Sequence, residues 1–451
     1  MDDDSSQDRD DQEDVTRDLH TLDHWREQLS GWPRTIECSS MRLVGYDDEG
    51  DIFAGPGRIE ILNETEMRFF LYGTTSDSSA AMKKYLKAKK NPYNVREQFR
   101  LFATDFRGVE WNGGWTDVDF FTDHSHGWPL SGELQSLLTV ASGPWVSKRS
   151  SVELLLVPPI DLPMTESLMT KAHIGKRQIS YSSGPGQHSL TLLGTTVTFS
   201  YEPSDKALWI TADTSPEFNH PHAENWLSEP LRILLGAPIY PRMVARNFGN
   251  GTAHIWLRPS PRQKVPSAIG LMRPFSMEPG RTTKFWELYA QILEFIAKAG
   301  EFDANPITKF YDELSQSQLG SRWVLTLTLA STAEAIANSL MTGEDRKSEF
   351  SDSALLSMRK HISDWNEDAG LRQRMLSNLG VVKSRSVVAF MREIGKAGTV
   401  NSVHVQTWYK IRNSVMHGDL VEPWSSAESD QHLEEMLQLV HDLTRARIRT
   451  T

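Results

Sequence analysis

Trp408-Tyr409-Lys410-Ile411-Arg412-Asn413-Ser414-Val415-Met416-His417-Gly418 is the stretch that decides how the C-terminal part of this chain folds. Wound as a helix at about 100° per residue, it gathers Trp408, Ile411 and Val415 within about 60° of arc, a stripe that has to be buried. Tyr409, Arg412, Asn413, Met416 and His417 fall on a separate arc of about 140°. Asn413 and His417 are i,i+4 neighbours and can touch. Gly418 predicts the stop, and His417 then lies in the last turn, where the helix dipole favours a protonated imidazole. The helix therefore hides one face and shows Arg, Asn and His together on another.

Upstream the same 3.6-residue period recurs. Phe285, Leu288, Ile292 and Phe295 form one stripe, and Leu325, Leu329, Ile336 and Leu340 another. Further helices are expected over 353–366, 370–379, 385–396, 403–417 and 427–448, with Gly380, Gly395, Gly398 and Gly418 at stops. Together these make a helical bundle.

Before about residue 280 the texture changes to Gly, Pro, Trp and short alternating runs. Arg58-Ile59-Glu60-Ile61-Leu62 and Met67-Arg68-Phe69-Phe70-Leu71-Tyr72 flank a polar turn and predict a hairpin. Leu190–Leu193 and Thr196–Ser200 flank Gly194, and Asn250-Gly251 precedes His254–Leu257. Ala80 to Lys90 predicts a short basic helix ended by Asn91-Pro92. The expectation is mostly antiparallel β structure, a sandwich or two small sheets. The fold class is thus α+β and multidomain: an acidic tail over 1–24, a β-rich sensing or regulatory domain over 25–280 and an all-α bundle over 281–451.

No apolar run approaches the ~20 residues needed to cross a bilayer. The chain opens on Asp2-Asp3-Asp4 rather than on a basic, then apolar, leader. The lone cysteine, Cys38, cannot form an internal disulfide, which fits a reducing compartment, so a cytoplasmic protein without membrane partners is expected. Of the net charge of −11, residues 2–14 supply −7 through eight acids and one Arg. Such a run self-repels and solubilises; the sharper reading makes it a nucleic-acid mimic that occupies a basic site until displaced. A basic stretch exists: residues 370–412 hold Arg372, Arg374, Lys383, Arg385, Arg392, Lys396, Lys410 and Arg412 against the single acid Glu393. Converging, these cations would hold phosphates; spread over several helices, they are ordinary solvated surface.

Arg, Asn and His on one face suit RNA cleavage without a metal. An imidazole can take the proton of a ribose 2′-hydroxyl or give one to the departing 5′-oxygen. A guanidinium can hold the charge that develops on the phosphoryl group. Asn can fix the imidazole or bind a phosphate oxygen. One chain carries one such His, and a two-fold homodimer would bring a second Arg412 and His417 to the same cleft.

Arg412-Asn413-x-x-x-His417-Gly418 on a late helix resembles the R-x4-H signature of HEPN ribonuclease domains. Thr332-Ala333-Glu334-Ala335-Ile336 resembles part of the first helix of the ApeA-like HEPN group, and the β-rich part looks like the N-terminal domain of that group's single-chain antiphage proteins. The resemblance implies a four- to five-helix HEPN-like bundle that dimerises, and a metal-independent, cofactor-free endoribonuclease of antiviral abortive infection, a toxin held in check until a phage-derived trigger arrives. It implies Arg412 and His417 as catalytic residues and Asn413 as support. Glu334, on the polar side of its helix, would orient Arg412 or His417. Lys383, Arg385, Arg392 and Lys410 are the expected RNA-binding cations. The alternative is a non-enzymatic RNA- or protein-binding module with a β-rich ligand-sensing domain. In that case His417 is a helix-end residue, and Arg412 pairs with Asp419 or Glu422.

Other candidates are weaker. Asp123-His124-Ser125-His126 and Asn219-His220-Pro221-His222, with Glu224 near the second, offer paired histidines that could share a metal; surface loops account for them as well, and no metal is expected. No Gly-x-Ser-x-Gly or P-loop is present. Trp111, Trp115 and Trp128 read either as a stacking platform for bases or sugars, or as β-domain core.

Overall fold

Period-two sequences produce strands, and the N-terminal part of the chain is built from them. A computed structural model describes residues 20–29, 33–46, 50–120, 127–174, 177–202, 206–261, 268–272, 280–299, 304–348, 350–416, 418 and 424–450. Residues 2–14, His124, His126, His417, Asp419 and Glu422 lie outside them. The strands are β1 (Arg34–Val44), β2 (Asp51–Asn63), β3 (Glu66–Gly73), β4 (Phe99–Asp105), β5 (Glu110–Thr116), β6 (Asp119–Phe120), β7 (Trp128–Glu133), β8 (Leu137–Ser142), β9 (Ser150–Leu156), β10 (Glu166–Ile174), β11 (Arg177–Leu192), β12 (Thr195–Glu202), β13 (Ala207–Asp213), β14 (Met243–Phe248) and β15 (Thr252–Leu257). The helices are α1 (Thr21–Leu29), α2 (Ser78–Lys90), α3 (Ala223–Trp226), α4 (Glu229–Leu235), α5 (Arg281–Ala299), α6 (Pro306–Ser317), α7 (Arg322–Leu340), α8 (Asp352–Ser363), α9 (Ala369–Val381), α10 (Val387–Lys396), α11 (Ser402–Met416) and α12 (Ala427–Arg449). A β-rich part is followed by an all-helical one.

The chain divides into two compact units, Met1–Glu224 with Tyr240–Arg262, and Asn225–Ile239 with Gln263–Thr451. In the first unit the hydrogen-bonded strand order is β10-β11-β12-β13-β9-β14-β15-β8-β5-β4-β1-β2-β3-β7-β6. The expected sandwich or pair of small sheets is therefore replaced by one antiparallel succession. Its joint between β5 and β8 is thin, a single registered pair, Asn112↔Leu138. Along β1 to β4 one face is core: Met41, Leu43, Phe53, Ile59, Phe69, Phe99 and Leu101 are sealed from solvent. Cys38 joins them, and burial pushes its thiol up to about 12, which keeps it from acting as a thiolate.

A buried carboxylate docks α1. Glu153 on β9 accepts the backbone amides of Thr21 (3.0 Å) and Leu22 (2.9 Å) and an amide hydrogen of Asn247 (2.8 Å). Burial raises its pKa despite those donors. The helical unit repeats the device. Glu229 at the start of α4, fully buried, accepts the Asn305 amide (2.8 Å) and the Thr308 hydroxyl (2.6 Å) at the N-terminus of α6, and burial again raises its pKa. In both places a distant carboxylate satisfies amides that a helix start leaves without intrahelical partners.

In the second unit α7 packs against α6, α10, α11 and α12, while α8 and α9 pack on each other. The buried stripe of α7 is Thr326, Leu329, Ala330, Thr332, Ala333, Ile336 and Ala337. Small side chains let neighbouring backbones approach, and the expected stripe residues Leu325 and Leu340 are only half-buried. Gly398 (φ +78°) and Gly418 (φ +89°) follow helix ends as expected, whereas Gly380 and Gly395 lie within α9 and α10. Gly236 ends α4 in the left-handed region (φ +59°), and a Cβ there would stand 2.2 Å from the Gly270 nitrogen.

Candidate functional site

The rotation of α11 about its axis is set by its buried stripe. Trp408 is fully buried and donates its indole N–H to the Ala330 carbonyl of α7 at 3.0 Å, and Val405 and Val415 are buried with it. Asn401 starts the helix by accepting the Val403 amide at 2.9 Å. With Trp408 against α7, Arg412, one turn on, faces the same helix.

There Arg412 meets Glu334 edge to edge. Its Nε donates to Oε2 at 2.9 Å and its Nη2 to Oε1 at 3.0 Å, the bidentate fork that only a guanidinium supplies. The side chains are 28% and 32% exposed, so solvent reaches the pair without washing it out. The hydrogen bonds to Glu334 raise the Arg412 pKa, which fixes the positive charge. The third nitrogen, Nη1, points to Asn413 Oδ1 at 3.4 Å. Arg412, Asn413 and Glu334 thus share one patch. His417 lies outside the described residues.

The expected RNA-binding cations separate. Arg392 of α10 lies over the ring of Tyr409 at 4.7 Å, and Tyr409 is exposed one turn before Arg412. Arg392 therefore joins the patch through an aromatic contact that spacing alone did not reveal. Arg385 bonds to Glu393 on its own segment. Lys410 leaves α11 on the other flank, 3.9 Å from Glu428 of α12. Lys383 is exposed just beyond α9.

Behind Arg412, on the α12 side of α11, a cavity of about 260 Å³ is lined by Thr326, Ile411, Ser414, Val415, His432 and Leu433, among others. Nearby Glu435 accepts from Thr407 and Gln431, and these hydrogen bonds lower its pKa.

The remaining histidine and tryptophan candidates resolve into structure. His220 shares a hydrogen bond with the Asn247 carbonyl at 3.0 Å, and Glu224 bonds Arg246. Among the described residues no group of three or more His, Cys, Asp or Glu could hold a metal ion. Trp111 is buried, and Trp128 packs with Phe53 and Phe120, ring centroids 5.7 and 5.1 Å away. Trp115 alone of the three lies on the outer face of the sheet. No protein-family model, curated protein or solved structure matches this chain.

Proposed function

We propose that the helical unit is a metal-independent endoribonuclease of antiviral defence, acting as a homodimer in the cytoplasm after a phage-derived trigger. The observation that carries the reading is the Glu334–Arg412 fork. It holds a solvent-accessible guanidinium at a fixed orientation on the helix that also bears Asn413, and His417 comes five positions later in the sequence. A guanidinium so held is prepared for an anion before the anion arrives, which is how electrostatic stabilisation of a transition state avoids reorganisation.

In this reading an imidazole takes the 2′-hydroxyl proton and the 2′-oxygen bonds to the adjacent phosphorus. The bond from phosphorus to the 5′-oxygen breaks, and that oxygen is protonated by a second group, the partner's His417 in a two-fold arrangement. Arg412 holds the charge on the phosphoryl oxygens through the five-coordinate stage, Asn413 steadies its free edge, and Glu334 acts as a positioning residue. The products carry 2′,3′-cyclic phosphate and 5′-hydroxyl ends.

The same fork also suits a second reading, a structural ion pair in a binding module that cleaves nothing. Phage challenge of cells expressing wild-type or His417→Ala protein, followed by sequencing of RNA ends, separates the two. Protection and new cyclic-phosphate ends that both vanish in the variant support the nuclease; full protection by the variant removes it.

A further inference from the structure

We infer that the outward face of α2 is a docking surface for this chain's own acidic N-terminal segment, residues 2–14, separate from the Arg412 patch and independent of any cleavage chemistry. From Ser78 to Arg96 the sequence holds Lys83, Lys84, Lys87, Lys89, Lys90 and Arg96, and no acid. Helix α2 sorts its five lysines by face. Ala81 and Ala88 are buried, and Tyr85 between them packs on Phe120 with ring centroids 4.2 Å apart, so this stripe faces the core of the β-rich unit. Lys84 and Lys89 flank the stripe and are already paired. Lys84 donates to the Arg96 carbonyl at 2.8 Å and lies 3.7 Å from Glu97, while Lys89 lies 2.9 Å from Asp117 and 2.7 Å from Asp119.

The opposite face is different. Ser79, Met82, Lys83, Leu86, Lys87 and Lys90 recur at helical spacing and line an open groove of about 500 Å³. Leu86 is 58% exposed in it. Among the described residues Lys83, Lys87 and Lys90 form no ion pair, so this face carries three uncompensated charges beside an apolar strip. An ammonium is a compact charge on a flexible stem, which suits carboxylates held loosely along a groove.

Charge and reach select the occupant. Residues 2–14, which lie outside the described residues, carry eight acids against one Arg. They are joined to α1, whose Trp25 packs edge-on against Trp111 of β5 at 5.6 Å. Asp117, which holds α2 through Lys89, comes six residues after Trp111. Six residues of strand rise about 20 Å, and a helical turn leads back from Trp25 to Thr21, so about 30 Å separates the start of α1 from α2. About ten extended residues cover that span, and Asp2, Asp3, Asp4, Asp8 and Asp10 come before them. Alternate residues of an extended chain are about 6.7 Å apart, close to the rise of about 6 Å between Lys83 and Lys87, so Asp2 with Asp4, or Asp8 with Asp10, can meet successive lysines. The tether also keeps these acids at high effective concentration, which places them on the face ahead of a free anion of the same chemistry.

The test is zero-length cross-linking of the full chain with a carbodiimide, which joins a carboxylate to a lysine only where the two touch, followed by peptide mass spectrometry. Links from residues 2–14 to Lys83, Lys87 or Lys90 should form at about 50 mM salt and fall about fivefold or more at about 0.5 M. They should vanish in the exposed double variant Lys83→Glu with Lys87→Glu, while the links from Lys89 to Asp117 and Asp119 persist and show that α2 is still folded in place. Absence of tail links to α2 in the wild type, or tail links to Lys383, Lys396 or Lys410 instead, would overturn the proposal. In a mixture of isotope-labelled and unlabelled chains, links confined to mixed pairs would overturn it by making a second copy's tail the occupant. Tail links that appear only after nuclease digestion would overturn it in favour of nucleic acid.

Discussion

Replacing Glu334 by Gln removes one charge and half of the fork while nearly preserving volume. The two hydrogen bonds are of good length, 2.9 and 3.0 Å, but both side chains are about 30% exposed. Shielded bonds to charged groups are worth about 1.5–3 kcal/mol and exposed ion pairs about 0–1, so the pair should stabilise the helical unit by about 1 kcal/mol. For a unit of this size that is a fall of about 2–4 °C in Tm. The effect on catalysis should be larger than the effect on stability. A guanidinium released from its clamp no longer meets the phosphoryl oxygens where their charge grows, and a misplacement of about 1 Å costs about 10²-fold. RNA cleavage by Glu334→Gln should fall about 10- to 100-fold, expressed in kcat more than in KM. Adding Glu334→Gln to Arg412→Ala should cost nothing further, because the two residues act as one unit. Arg412→Lys should not rescue, since an ammonium cannot make the fork. Steady-state cleavage of a fluorescent RNA together with thermal melts measures all of this. A Glu334→Gln variant that melts lower yet cleaves at the wild-type rate would refute the positioning role.

Burial holds the Glu229 carboxyl above its ordinary value of 4.5, so the folded state prefers the protonated acid. Its favourable contribution is complete below that value and is lost as pH rises through the folded pKa, and Glu229→Gln should flatten the decline of Tm as pH rises above 4.5; identical slopes would contradict this. Trp408→Ala, which opens a void between α11 and α7, should cost about 3–5 kcal/mol by urea denaturation, with Trp408→Phe retaining more than half of the loss. Gly236→Ala puts a Cβ 2.2 Å from the Gly270 nitrogen at a positive φ and should lower soluble yield, whereas Gly343→Ala, with no atom within 4 Å of the added carbon, should not.

The two-texture organisation was legible because hydrophobic period is a local property. The hairpin of β2 and β3 follows directly from the alternation at Arg58–Leu62 and Met67–Tyr72. The stripe of α7 was misplaced because leucine marks burial poorly where helices meet through alanine and threonine, as at Ala330, Ala333 and Ala337. Helix α6 was legible though not expected: Asn305 caps it, its side chain accepting the Ile307 amide at 3.0 Å, and Pro306 follows at the first position, while only the Glu229 contact, 76 residues away from Asn305, is long-range. Similarly, no spacing rule connects Glu153 to α1 across more than 130 residues. Glu334 was carried over from the resemblance, with its place on the polar side of its helix, but its fork with Arg412, 78 residues away, is a tertiary fact. Trp115 shows the limit of parity most clearly: one extra glycine reverses which side of the sheet it occupies.

The central claim is that Arg412 and His417 cleave RNA without a metal. Purified wild-type, Arg412→Ala and His417→Ala proteins, incubated with total RNA in excess EDTA and analysed for end chemistry, test it most directly. The account predicts cleavage by the wild type alone, leaving 2′,3′-cyclic phosphate ends. Cleavage that EDTA abolishes, or that persists in both variants, would contradict it.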